Sequence, residues 1–224
     1  MTDRFLFKSV GPDDGAFCEA LKLAYEMSKQ NSTPIHLVFP LKNTFRDSNI
    51  AKILNQLDSK FSTKLLKGET VANMDLLLPS NIGFNNSKGI ILAVYCTTKD
   101  MNLIDSNSSA DSIIFVSWSE DEAEIWESTW YNKSLQVMYG NPSQAIAGLP
   151  TEVVQELERL TSIVNLSTGL AHPSDKEHAD RIFKSLKSKG YKVSEQLVAN
   201  WAIANGWNAR HLDDLVKLAK KYLS

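Results

Sequence analysis

The chain has 224 residues, of which 43% are hydrophobic and 22% are charged, and its formal net charge is −2. This composition is that of a soluble globular protein, and a chain of this size needs neither a disulfide nor a metal to fold. No run approaches the roughly 18 apolar residues of a membrane span, and the first residues lack the apolar core of a signal peptide. We therefore expect a soluble, cytoplasmic protein with no membrane partner, in which Cys18 and Cys96 are buried free thiols.

The first half of the chain alternates between strand and helix patterns. Residues 4–10 alternate aromatic and aliphatic side chains before a Gly-Pro turn and predict a first strand. Asp13 is then placed to cap a helix that runs to about residue 29. Residues 34–39 predict a second strand, and apolar residues at helical spacing across residues 47–61 predict a second helix. Such alternation builds parallel sheets, so we expect a Rossmann-like arrangement.

Residues 89–98 hold an uninterrupted apolar run between a glycine and two threonines, which is typical of a strand buried on both faces. Such a strand belongs near the middle of a sheet that helices cover on both sides. Residues 112–118 predict a second strand of the same kind. Ser119 and Glu122 then form a capping-box pattern at the start of a helix over residues 120–130.

Weaker patterns surround these two strands. Residues 63–66 and 74–78 predict short strands, and the turn-rich residues 79–88 predict a surface loop. The polar residues 100–110 leave helix and loop both open. Residues 135–139 predict a last strand, which a Gly-Asn-Pro sequence ends.

Beyond Pro150 the helical spacing continues without any further strand pattern. Ser174 with Glu177 forms a second capping-box pattern. Gly190 and Gly206 are predicted to end the first two helices after this pattern. Ser194 and Asn208 are predicted to cap the helices that follow these glycines. We predict an α/β domain at residues 1–148, with a mainly parallel sheet and helices on both faces. A C-terminal all-helical region follows at residues 149–224, with a three-helix unit at residues 174–224.

Ligands of open parallel sheets bind beyond the carboxyl ends of the strands, so the candidate binding residues follow predicted strands. These candidates are Asp13, Asp14, Thr97, Thr98, Lys99, Ser117 and Glu120. Helix capping is the alternative role for Asp13 and for Thr97. Trp118, beside them, is a candidate either for stacking on a base or for packing in the core.

The sequence contains no P-loop, no dinucleotide-binding fingerprint and no Gly-x-Ser-x-Gly, so the catalytic residues and the cofactor stay unassigned. The first hypothesis is a non-enzymatic ligand-binding or regulatory protein with a crevice near Thr97 and Ser117. The alternative is an enzyme that acts on a nucleotide or another small anionic substrate. The groups to test in such an enzyme are Asp13, Asp14, Lys99 and Glu120.

The histidines and cysteines predict no metal site. The spacing of His172, Asp175 and His178 matches no strong metal-binding signature and suits polar residues around a helix start. His36 lies inside an apolar strand, where we expect it to be hydrogen-bonded. Cys96 is predicted to be a buried strand cysteine rather than a nucleophile, since no neighbouring residue would lower its pKa.

The C-terminal region is more basic than the rest of the chain. Residues 174–224 hold ten Lys and Arg against six Asp and Glu, a balance of +4, whereas residues 1–173 balance to −6. The stretch Trp201-Ala-Ile-Ala-Asn-Gly206 resembles part of the small helical DNA-binding domains of some bacterial nucleoid silencers. The resemblance implies a nucleic-acid partner, although those domains continue with Arg-Gly-Arg, whereas Trp-Asn-Ala-Arg follows here. The candidate contacts are Lys184, Lys187, Arg210, Lys217, Lys220 and Lys221. The alternative is a packing module that binds a protein partner or a second copy of the chain.

Overall fold

The computed structural model describes residues 2–83, 88–131, 133–143 and 148–224. The chain divides into two compact units, Met1–Gln144 and Ala145–Ser224. We call the first the α/β unit and the second the helical unit, and each has its own buried core.

One parallel sheet organises the α/β unit. Its strands are β1 (Asp3–Phe7), β2 (Ile35–Val38), β3 (Met74–Leu77), β4 (Ile90–Val94), β5 (Ser112–Val116) and β6 (Leu135–Tyr139). They lie in the order β3-β2-β4-β5-β1-β6, and every pair of neighbours is parallel. The two strands predicted to be buried on both faces, β4 and β5, are therefore adjacent and central. Their register places Ile90 beside Ser112 and Val94 beside Val116.

Helices connect the strands of this unit. Those that the structure describes are α1 (Asp14–Asn31), α2 (Lys42–Asp47), α3 (Asn49–Leu57), α4 (Phe61–Leu66), α5 (Thr98–Asn107) and α6 (Glu120–Trp130). A 3₁₀ turn, Pro79–Asn81, follows β3. The predicted cap of α1 is confirmed, because Asp13 Oδ1 accepts the N–H of Ala16 at 2.9 Å. Only half of the box predicted for α6 forms: Ser119 Oγ accepts the N–H of Glu122, but the Glu122 carboxylate turns back to the N–H of Trp118.

Alternate residues of the central strands point to opposite faces of the sheet. On one face, Ile90, Leu92 and Val94 join a continuous apolar core with α1, where Phe17 is fully buried. Helices α3 and α4 contribute Leu54 and other apolar side chains to the same core. Ile91 and Ala93, which point to the other face, are fully buried too, so the sequence of β4 is an uninterrupted apolar run.

A polar cluster and two indoles lie over the opposite face. Asp105 of α5 accepts hydrogen bonds from Arg4 Nε at 3.0 Å, from Trp126 Nε1 at 2.8 Å and from Trp130 Nε1 at 3.1 Å. The Arg4 guanidinium lies 3.3 Å from the centre of the Trp130 ring. Trp126 packs edge-on against Phe115 of β5 at 5.3 Å. Helices α5 and α6 therefore cover this face, as expected for a sheet with helices on both sides.

Several local predictions were wrong. Residues 63–66 belong to α4 rather than to a strand, because Phe61 and Leu65 are both buried and lie one helical turn apart. The single helix predicted across residues 47–61 is interrupted: α2 ends at Asp47, Ser48 caps α3, and α4 begins at Phe61. Cys18 is exposed on α1, although Cys96 is buried as predicted.

The helical unit contains α7 (Thr151–Thr161), α8 (Pro173–Ser188), α9 (Glu195–Ala204) and α10 (Asp213–Leu223). Trp207 is 1% exposed, and its Nε1 donates to Thr161 Oγ1 at 2.9 Å, which holds α7 against the turn after α9. Gly169 has a φ of +58°, and a β-carbon placed on it would lie 2.4 Å from the carbonyl oxygen of His211. The loop before α8 therefore meets the turn before α10 at backbone distance.

Two helix starts differ from prediction in this unit. His172 caps α8 and Pro173 is its first residue, since proline has no N–H to satisfy there; Ser174 lies inside the helix. Asn208 caps a 3₁₀ turn, Ala209–His211, rather than α10. The cap at Ser194 and the end of α8 before Gly190 are confirmed. No helix in the described ranges of the chain has the length and apolar character needed to cross a membrane.

Candidate functional site

Two clefts open at the carboxyl-end edge of the sheet, on either side of the turn that follows β1. The acidic cleft has a volume of about 490 Å³ and is lined by Lys8, Ser9, Val10, Asp13, Glu120, Glu124, Gly140, Asn141, Pro142 and Ser143. The aromatic cleft has a volume of about 410 Å³ and is lined by Pro12, Phe39, Thr44, Ser48, Asn49, Lys52, Tyr95 and Trp118. Both lie where parallel sheets bind ligands.

Three rings from neighbouring strand ends form one wall of the aromatic cleft. Phe39 follows β2, Tyr95 follows β4 and Trp118 follows β5 within two residues of each strand's end. The Tyr95 ring centre lies 6.1 Å from that of Phe39 and 5.0 Å from that of Trp118, both edge-to-face. Phe39 is buried, but Trp118 is 44% exposed. Tyr95 is also buried, so the aromatic surface that a bound molecule can reach is mainly the Trp118 ring.

The backbone of Tyr95 is in the left-handed region, with a φ of +57°. This conformation costs a residue with a β-carbon roughly 1–2 kcal/mol. The strand-end N–H of Tyr95 still bonds the carbonyl of Val116 on β5, at 2.9 Å. The turn directs the Tyr95 ring between Phe39 and Trp118. Strained residues of this kind cluster at binding and active sites.

The Tyr95 hydroxyl is held by two donors. Its oxygen accepts the N–H of Asp13 at 3.1 Å and an amide N–H of Asn49 at 3.2 Å. Asn49 also donates to the Asp14 carboxylate at 2.7 Å, and since a carboxylate only accepts, this contact fixes the orientation of the amide. Burial raises the pKa of the Tyr95 phenol, so the hydroxyl keeps its proton at neutral pH.

The acidic cleft is dominated by carboxylates. Asp13, Glu120 and Glu124 line it, and its one lining cation among the described residues, Lys8, is already paired with Glu127 at 2.6 Å. Burial acts to raise the pKa of Glu127, but hydrogen bonds from Lys8 and Ser143 outweigh it and hold that pKa below its ordinary value. Glu127 thus favours its ionised form, Lys8 is engaged with it, and the remaining carboxylates of the cleft disfavour anions.

The structure brings only some of the sequence-predicted residues together. Asp13 and Glu120 line the acidic cleft, and Asp14 holds Asn49 at the edge of the aromatic cleft. Thr97, Thr98 and Lys99 lie at the start of α5, where Thr97 and Asp100 form a capping box. These three residues are in the described lining of neither cleft.

Ser117 is fully buried. Its hydroxyl accepts the N–H of Ser9 at 3.0 Å and donates to the Ser9 carbonyl at 3.2 Å, which joins the ends of β1 and β5. Tyr95, Asn49 and Lys52 line the aromatic cleft but were not among the binding residues predicted from the sequence. Position was the available signal for Tyr95, which directly follows the central strand.

His36 links two strands on the edge side of the sheet. Its Nδ1 lies 2.8 Å from Asp75 on β3, and its Nε2 lies 3.1 Å from the carbonyl of Lys88. Both partners accept hydrogen bonds, so the doubly protonated ring satisfies both. The Asp75 hydrogen bond raises the pKa of His36, although burial opposes it. The expected hydrogen bonding of His36 is confirmed. Nowhere in the described residues do three or more His, Cys, Asp or Glu side chains converge as metal ligands.

The candidate nucleic-acid contacts lie among carboxylates in the helical unit. Asp180 pairs with Lys184 at 2.7 Å and with Lys221 at 3.7 Å, and Asp214 pairs with Lys217 at 3.8 Å. Lys187 and Lys221 also lie over the Tyr222 ring, at 5.8 and 4.6 Å. Residues 145–224 hold 11 Lys and Arg against 9 Asp and Glu, a balance of +2. The positive charge of this surface is therefore largely offset locally.

Comparison with known proteins reaches only the helical unit. Residues 150–224, which are 75 of the 224 residues, match the model of a family described as a domain of unknown function, DUF1889. No curated protein and no solved structure matches the chain. The helical unit is thus similar to a family whose description assigns no activity. For the α/β unit, function has to be inferred from the geometry of its clefts.

Proposed function

We propose that the α/β unit is a ligand-binding protein, and that its site is the aromatic cleft, which binds a small molecule with a planar ring. The observation that carries this proposal is the half-exposed Trp118 ring, held edge-to-face against Tyr95 in a cleft of about 410 Å³. Ligand pockets of roughly 300–1,000 Å³ are usually preformed and lined by apolar and aromatic groups. Each aromatic pair contributes about 0.5–1.5 kcal/mol beyond area burial.

The lining chemistry supports binding rather than catalysis. The described lining of the aromatic cleft contains no histidine, cysteine or carboxylate that could act as a nucleophile or a base. Its two aliphatic hydroxyls are already engaged: Thr44 Oγ1 donates to the Leu41 carbonyl at 2.9 Å, and Ser48 Oγ donates to that of Phe45 at 2.7 Å. We therefore favour a role in ligand binding or regulation over an enzymatic one.

Tryptophan fluorescence tests the proposal. Nucleosides, nucleotides, flavins and aromatic amino acids are titrated into the full chain, and a ligand should quench the emission and raise the melting temperature. A ligand at 100 times its Kd adds about 2.7 kcal/mol of stability. Trp118→Phe should remove the quenching, whereas Trp201→Phe, in the helical unit, should leave it unchanged. If no member of the panel shifts either signal, the proposal is wrong.

A further inference from the structure

We propose that the ligand of the aromatic cleft is a nucleoside monophosphate: a planar ring whose acceptor atom bonds the Tyr95 hydroxyl, with an anionic group paired to Lys52. This inference rests on the proposed function, since it names the ligand class of the same cleft. Two observations carry it, one at each polar group.

The first observation is that the proton of the Tyr95 hydroxyl has no acceptor among the described residues. The side chain lines the cleft, and the residue is 8% exposed. Its oxygen already accepts from Asp13 and Asn49, so its O–H must point elsewhere. No residue in the described part of the chain accepts that proton. A buried donor without an acceptor is unfavourable, so a ring nitrogen or carbonyl in the cleft would complete the bonding of this hydroxyl.

The second observation is that positive charge lies at the aromatic cleft, on Lys52 and at the start of α3. Lys52 is exposed, lines the aromatic cleft and has no ion-pair partner among the described residues. It lies in the first turns of α3, whose Ser48 cap and Asn49 also line the cleft, so the positive end of the helix dipole adds to its charge. Anions are disfavoured across the β1 turn, where Asp13 and the α6 carboxylates lie. Of the two clefts, the aromatic one is therefore better suited to an anionic group at its Lys52 end, although the Asp14 carboxylate lies at its edge on Asn49.

The volume of the aromatic cleft limits the size, and so the chemical class, of the ligand. A volume of about 410 Å³ lies near the lower end of ligand pockets, which suits one ring with one anionic substituent better than a dinucleotide. A nucleoside monophosphate would contact all three kinds of group in the cleft. Its base would pack against Trp118, an acceptor atom would bond the Tyr95 hydroxyl, and its phosphate would pair with Lys52.

Calorimetric titration of the full chain with AMP and adenosine tests the anionic part. AMP should bind about fivefold more tightly at about 50 mM salt, the ratio expected of a partly exposed ion pair, and the preference should shrink at high salt. Lys52→Gln should weaken AMP binding more than adenosine binding and so abolish the preference. Lys29→Gln, an exposed lysine at the far end of α1, is the matched control and should change neither affinity.

Two uncharged rings test the acceptor. 9-Methyladenine carries acceptor nitrogens, whereas 1-methylindole is more apolar and carries none. The wild type should bind 9-methyladenine more tightly, by about fivefold, and Tyr95→Phe should remove that preference. Because this substitution also removes the acceptor of Asp13 and Asn49, its cooperative unfolding is checked first. The comparison of the two rings in the wild type stands without the variant.

The outcomes separate the two proposals. If AMP and adenosine bind equally and Lys52→Gln has no effect, the nucleotide inference is overturned while ring binding at Trp118 survives. If 1-methylindole binds better than 9-methyladenine, the role of Tyr95 is overturned, again without touching the proposed function. If no ring compound binds, both are overturned.

Discussion

Replacing Gly169 by alanine should destabilise the helical unit far more than replacing Gly190. Both glycines have positive φ, +58° and +82°, so alanine costs roughly 1–2 kcal/mol at either position. They differ in their surroundings: a β-carbon at Gly169 would lie 2.4 Å from the His211 carbonyl oxygen, whereas at Gly190 it meets nothing within 4 Å. Relieving such a backbone contact costs about 1–3 kcal/mol more. We expect Gly169→Ala to exceed Gly190→Ala by about 2 kcal/mol.

Hydrogen exchange of peptides from α8 and α10 measures this difference directly, because it reports the free energy of opening of the helical unit within the full chain. Urea unfolding followed by circular dichroism provides a second measurement. Equal losses for the two variants would show that the loop before α8 does not press on the turn before α10, and the reasoning from this contact would fail.

Three further results are expected. Stability from the His36–Asp75 pair is fully present below the ordinary histidine pKa of about 6.5 and is lost as pH rises through the raised folded-state pKa. The advantage of the wild type over Asp75→Asn, about 1 kcal/mol, should therefore appear at pH 5.5 and shrink by pH 8.5 in urea unfolding. Glu127→Gln should cost about 2 kcal/mol, because it leaves a largely buried lysine ammonium unpaired. Trp118→Ala should weaken binding of any ring ligand at least tenfold, yet change stability by less than about 1 kcal/mol, because the ring is half exposed.

A control variant or a contradicting outcome tests each of these three expectations. Glu124→Gln, an exposed carboxylate on the same helix, should leave the melting temperature unchanged; a drop equal to that of Glu127→Gln would refute the importance of burial. A pH-independent difference between wild type and Asp75→Asn would show that His36 does not titrate in this range. A Trp118→Ala variant that binds ring ligands normally would place the site elsewhere.

The sheet was largely predictable because burial on both faces leaves a direct mark on sequence. In a chain that alternates strands with helices, a short apolar run such as Ile90–Val94 is typical of a central strand. Short segments carried no such mark: four residues around Leu65 fit a strand or one helical turn, and tertiary burial decided for the helix. Capping patterns were reliable at Asp13 and Ser194 but failed at Ser174, because a proline can begin a helix one residue earlier.

The position of the site was predictable, but its lining was not. Residues after parallel strands must meet at one edge, which is why Asp13 and Glu120 share a cleft. Ser117 follows a strand too, yet its hydroxyl turns inward to Ser9. The left-handed turn at Tyr95 is what selects the aromatic wall, and a tyrosine gives no sequence signal for that conformation.

The order of the strands also dictates when the sheet can form. β1 pairs with β5 and β6, and the nearest of these contacts joins Asp3 to Ser112, so the first strand has no partner until more than 100 later residues exist. β2 pairs instead with β3 and β4, so α1 must span the gap that β4 and β5 fill later. Contacts this distant in sequence slow folding. A nascent chain that ends before Ser112 exposes the edge of β1, and it is the completion of β5 that joins the two halves into one sheet.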